Sequence, residues 1–253
     1  MKSIVFADRV GKEIRRDPLS YIFCIGFPII MLIIMSIVDS SIPAQANMTI
    51  FHIHNLAPGI AYFGLTFVML FTGIQVSKDR TTALLFRLYA SPMKAADYVI
   101  GYTLPVCILG IVQMVICFTA AFLIGLCKGY TFSLSSILLS MLLLIPSLFM
   151  FAGIGILFGS AVSEKAAPGL CSIIISAVGI IGGIWMDING IGGILKKAAE
   201  IMPFYHGVTL ARLPFGNDLK QISAHLIQTV GFGIVFYVLA IVVFTSKMKK
   251  DVK

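Results

Sequence analysis

The chain has 253 residues, of which 58% are hydrophobic and only 12% charged, with a formal net charge of +8. A water-soluble domain carries roughly 25% charged residues, so this much apolar surface excludes an ordinary soluble fold. The cations form no basic stripe interleaved with aromatics, which excludes nucleic acid as a partner; they gather at the ends of apolar runs, as in a single membrane-embedded domain over 1–253.

Residues 3–16 place Ile4, Val5, Val10 and Ile14 among Lys and Arg, the pattern of a basic amphipathic helix lying on an anionic membrane surface. The first apolar run, 19–38, is long enough to span and has no small-residue cleavage site, so it reads as a span and not as a cleaved leader. A second span covers 57–77.

The connection that follows, Lys78-Asp79-Arg80-Thr81-Thr82-Ala83-Leu84-Leu85-Phe86-Arg87-Leu88-Tyr89-Ala90-Ser91-Pro92, is polar at its start and apolar in its body. Leu84 with Leu88 and Leu85 with Tyr89 stand four apart, which gives a short helix an apolar ridge flanked by Arg80 and Arg87. Such a knob suits a groove on a partner, and it also suits lipid headgroups. Ser91-Pro92 reads as an N-cap with proline at the first helical position.

The third span covers 98–127, long enough to tilt or to carry a broken turn at Pro105, and the fourth covers 134–160 around Pro146. Gly155 with Gly159, and in the fifth span (168–186) Gly179 with Gly183, are small-residue pairs at the spacing that lets helix backbones approach closely. Between 188 and 224, apolar patches alternate with Gly190, Gly192, Gly193, Pro203, Pro214 and Gly216. That stretch is too apolar for a free loop and too interrupted to span, so it reads as short re-entrant or interfacial helices. Within it, Pro203-Phe204-Tyr205-His206 is expected at the membrane interface, its rings at headgroup depth. The sixth span covers 225–246.

The fold class is therefore an all-α bundle of six membrane helices. Fourteen of the nineteen Lys and Arg fall on the side that holds both termini and the 78–94 connection, which places that side in the cytoplasm.

The sequence offers little chemistry of its own. No ionisable residue stands near the middle of a span, as a proton pathway would need; Asp39, Asp97 and Asp187 lie at span ends. The single Gly-Lys, Gly11-Lys12, is followed by Glu13, so no phosphate-binding loop is present, and there is no nucleophile elbow or Cys/His metal cluster. His52 and His54 lack a third ligand, and His206 suits a hydrogen-bonded interfacial role better than a catalytic one. The five cysteines, Cys24, Cys107, Cys117, Cys127 and Cys171, sit in apolar runs as packing residues. No catalytic residue and no metal site are expected.

In the order of its elements the chain resembles the membrane permease subunits of ABC type-2 exporters. The resemblance rests on Asp79-Arg80-Thr81-Thr82, Leu84 to Leu88, Ser91-Pro92 and Pro203-Phe204-Tyr205-His206, although Ala83 and Phe86 stand where the family commonly has a small and an acidic residue. It implies a dimer of permeases, homo- or hetero-, each working with a separate ATP-binding-cassette subunit that carries ATP and Mg, and a bacterial inner membrane as location. The residues it implies for ATPase coupling are Asp79, Arg80, Leu84, Leu85, Arg87, Leu88 and Tyr89. The expected cargo is amphipathic: a drug, an antimicrobial peptide or a lipid-linked molecule. The competing reading is a secondary transporter, channel or membrane scaffold that uses no ATP.

Overall fold

The computed structural model describes residues 2–43, 48–81, 93–216 and 220–251, and helix is the only regular structure among them apart from turns. Helix α1 (Lys2–Arg16) buries Phe6, Ala7 and Val10, one stripe at helical spacing. It ends where Asp17 caps the next helix with an acceptor for the Leu19 N–H and Pro18 follows at the first helical position. Helix α2 (Pro18–Ser41) widens into a π turn over Ile22–Gly26. Pro28 lies just beyond, and having no N–H for the preceding turn it favours this local change of pitch.

Helix α3 (Ile53–Thr81) is the centre of the bundle and packs against α4 (Ala95–Cys127), α5 (Leu134–Ala161) and α6 (Ala167–Ile181). Pro105 lies inside α4 without interrupting it, so the break that proline allowed is not used. Helix α10 (Ile222–Asp251) runs along α5 on the outside. Among the described residues five helices, α2, α3, α4, α5 and α10, are long and apolar enough to cross a membrane.

The fifth predicted span is shorter than expected. Helix α6 has 15 residues, about 22 Å at 1.5 Å each, against a hydrocarbon core of about 30 Å. Trp185 and Met186, counted with that span in the sequence, lie beyond its end, because Gly183 turns the chain with φ +71°, a conformation that excludes most other residues.

Contacts at the helix ends sort the bundle into two ends. At the proximal end, which holds the start of α1 and the last turns of α10, Ser3 donates to Asp97 at the start of α4 (2.9 Å) and Phe244 stacks on Tyr98 (5.6 Å). At the distal end Lys128 pairs with Asp39 (3.1 Å), and His54 stacks on Tyr130 (5.5 Å).

Three short helices follow α6: α7 (Ile188–Ile191), α8 (Gly193–Ile201) and α9 (Pro203–Gly216). Phe204, at the start of α9, stacks on Phe151 (6.2 Å), whereas Ala211 accepts a hydrogen bond from Ser140 (2.7 Å), eleven positions nearer the distal end of α5. From Phe204 to Ala211 helix α9 thus rises about 10 Å toward the distal end. Helix α8 leads into it, and the two form a helical hairpin packed on the bundle.

Candidate functional site

The proximal end of α3 is where the sequence placed the start of a coupling segment. Its apolar ridge, Leu84, Leu85, Leu88 and Tyr89 with Arg87, lies outside the described residues, as do Ser91 and Pro92. Asp79 and Arg80 are described, and both face inward.

Asp79 is buried, the residue being 3% exposed. Arg9 of α1 grips it from two nitrogens, Nη1 to Oδ2 at 3.3 Å and Nη2 to Oδ1 at 3.0 Å, while Tyr102 of α4 donates to Oδ2 at 2.8 Å. Arg9 also donates to Glu13 (2.6 Å), and Gln75 of α3 donates to both Glu13 and Asp79. Burial works to lower the Arg9 pKa, but the hydrogen bonds and charges of Asp79 and Glu13 outweigh it and leave it raised. Beneath this cluster Phe6 meets the edges of Tyr98 and Tyr102 at 5.3 and 4.9 Å. The amphipathic helix is therefore docked on protein by its buried face, while Ile4 and Val5 remain exposed on the other.

Arg80 points to the next helix. Its Nη1 donates to the carbonyls of Gly159 (3.2 Å), Ser160 and Val162 (3.3 Å), the C-terminal oxygens that α5 cannot satisfy internally. A cation there also meets the negative end of the helix dipole. One turn back, a Cβ on Gly155 would fall 2.5 Å from the Met69 carbonyl oxygen, and one on Gly159 2.6 Å from that of Gly73. Both glycines permit the close approach of α5 to α3.

Gly179 and Gly183 do not form a second packing pair. Gly179 faces the Trp185 ring, 2.7 Å from the nearest atom to an added Cβ, and Gly183 is the turn that ends the segment.

At the distal end, Pro203, Phe204 and His206 are buried in protein, and Tyr205 is half-buried. The reason is the hairpin: its tip is plugged between α3, α5 and α10. His206 places Nε2 2.8 Å from the Glu200 carbonyl, so that nitrogen donates; its Nδ1 then accepts from Nδ1 of His225 at 2.7 Å. Gly207 is required because a Cβ would lie 2.3 Å from the Tyr62 ring. His52 and His54 have rings 5.7 Å apart, and among the described residues no group of three or more His, Cys, Asp or Glu could hold a metal ion. Cys24, Cys107, Cys117 and Cys171 are buried free thiols and Cys127 is exposed.

Sequence reasoning missed Arg9, Glu13, Gln75 and Tyr102, and also His225 and Arg212. Arg9 and Asp79 are 70 positions apart, and nothing local announces their pairing. Asp79 itself carried a signal, being an acid that ends an apolar run and must find a partner if buried.

Compared with known proteins, residues 45–242 match a family model described as ABC-2 family transporter protein. No curated protein matches the chain.

Proposed function

Because the chain belongs to the ABC-2 family of transporter proteins, as the membrane permease of an ABC-type transporter, we propose that it is a six-pass half-transporter that exports an amphipathic substrate. A second permease chain would complete the path across the bilayer, and a separate ATP-binding-cassette subunit on each would drive it. The proximal end faces the cytoplasm, in keeping with fourteen of nineteen cations on that side, and the bilayer is a bacterial inner membrane. Helix α6 makes the fifth pass, its short length completed by the turn through Gly182 and Gly183.

The observation that carries the coupling reading is the double tether at the end of α3. Asp79 binds α1 and α4, while Arg80 binds the end of α5. Residues 82–92 follow directly, so a displacement of that segment by a partner has a stiff route into four helices. Packed, hydrogen-bonded ends transmit strain where a solvated loop would absorb it.

The test is co-purification with the ATP-binding subunit and hydrolysis coupled to transport in reconstituted membranes. Leu85→Asp, Leu88→Asp and Arg87→Glu should each lose the partner while the bundle still inserts. Arg80→Gln should keep the partner and lose coupling. Undiminished binding in the first three variants would move the docking surface elsewhere.

A further inference from the structure

A cavity of about 270 Å³ opens at the distal end between the start of α3, the turn after α6 and helix α9. That volume suits a small polar group and lies under the usual range for drug-sized ligands. Its wall carries two opposite charges, Arg212 and Asp187, together with Asn55, Asn189, Tyr205 and Thr209.

Neither charge makes an ion pair among the described residues. Arg212 donates Nε to the Asn55 carbonyl (3.0 Å) and Nη1 to that of Gly183 (2.8 Å), and its Nη2 is buried with no partner. Burial pulls its pKa down to about 10, with Asp187 and then Tyr205 acting to raise it, so it stays charged at neutral pH. Asp187 spends Oδ1 on the backbone N–H groups of Asn189 and Gly190, both at 3.1 Å, and caps α7. Two opposite charges that share a cavity without pairing are complementary to a ligand carrying the same two charges in reverse order.

We propose that this cavity binds the headgroup of a phosphatidylethanolamine, its phosphate on Arg212 and its ammonium on Asp187. Guanidinium matches phosphate oxygens in geometry and charge. The acceptors around Asp187, among them the Asn189 side chain, suit the three N–H donors of a primary ammonium. A trimethylammonium would call for an aromatic cage, and Tyr205 is the single ring in the cavity wall. The occupant is a lipid because the rim is greasy: Met186 and Ile191 are 38% and 53% exposed, and Ile194 and Ile201 on α8 are 87% and 70% exposed, a surface for acyl chains. The proposal rests on the permease reading only in setting the distal end at a bilayer surface.

Trp185, the single tryptophan of the chain, packs on Phe63 (5.3 Å) and immediately precedes the cavity residues Met186 and Asp187, which makes it the probe of choice. The full chain in detergent is titrated with short-chain phosphatidylethanolamine, phosphatidylcholine, phosphatidylglycerol or water-soluble glycerophosphoethanolamine, and Trp185 emission is followed. A saturable change is expected with phosphatidylethanolamine, at an apparent affinity about tenfold above the other two lipids, the scale of one charge-assisted contact. Asp187→Asn, which can still cap α7, should erase that preference over phosphatidylglycerol, and Arg212→Gln should abolish both responses. Equal responses to the three lipids, a preference that survives Asp187→Asn, or a soluble headgroup that matches the lipid would each overturn the proposal. No ATP-binding subunit is present in this measurement, so its failure is distinct from a failure of coupling.

Discussion

The two ends of the bundle each hold an arginine drawn into protein, and they use it in opposite ways. Arg9 at the proximal end is met by Asp79 and Glu13, and the contacts of Asp79 draw α1, α3 and α4 together. Arg212 at the distal end lines a cavity, donates to two backbone carbonyls and leaves a third, buried nitrogen unpartnered. An arginine enclosed by acids is a fastener, whereas one held by neutral carbonyls keeps its charge on offer. Mutations should therefore destabilise at the proximal end and alter binding at the distal end.

The largest effect is expected for Asp79→Ala. It removes the carboxylate that Arg9 and Tyr102 share and leaves Arg9 with Glu13, and breaking a buried pair costs about 3 kcal/mol or somewhat less here, since the Arg9 side chain is 28% exposed. Thermal melting in detergent should fall clearly, and limited proteolysis should release α1. If melting is unchanged, the proximal cluster is not a fastener.

Next comes Gly159→Val, whose Cβ would press on the backbone carbonyl of Gly73. Overpacking of this kind costs about 1–3 kcal/mol, while Gly169→Ala, with nothing within 4 Å, should be neutral. Equal melting temperatures for the two would mean that α3 and α5 are free to separate.

Arg80→Gln keeps one donor but removes the charge from the end of α5, for a loss of about 1.5 kcal/mol. Hydrogen exchange of the last turn of α5 should speed up before that of its middle. Smallest of all, Asp187→Asn at the exposed distal rim should shift stability by no more than about 0.5 kcal/mol. A large drop in melting there would erase the contrast between the two ends.

Much of the fold was legible because a membrane helix must satisfy its own backbone hydrogen bonds, so a long apolar run carries its structure locally. The runs beginning near Leu19, Ala57, Tyr98, Leu134 and His225 all lie within helices long enough to cross. Helical period marked the stripe of α1, and glycines and prolines marked the breaks between 188 and 216. What misled the reading of 168–186 was hydropathy without conformation: Trp185 and Met186 are apolar enough for a span, yet Gly182 and Gly183 stop the helix before them.

The partners of the polar groups were not legible. Sequence alone determined that this chain is a helical membrane protein, which apolar runs form its long helices, and that Asp79-Arg80 stands near the end of one of them, because composition and helical period act within a single run. Only the tertiary structure decided that Asp79 turns to Arg9, that Arg80 closes α5, that Phe204 is a core ring, and that Arg212 and Asp187 share a cavity unpaired. Those choices join residues tens of positions apart, and what selects among them is helix packing, where a missing Cβ at Gly155, Gly159 or Gly207 allows one contact and a side chain would forbid it.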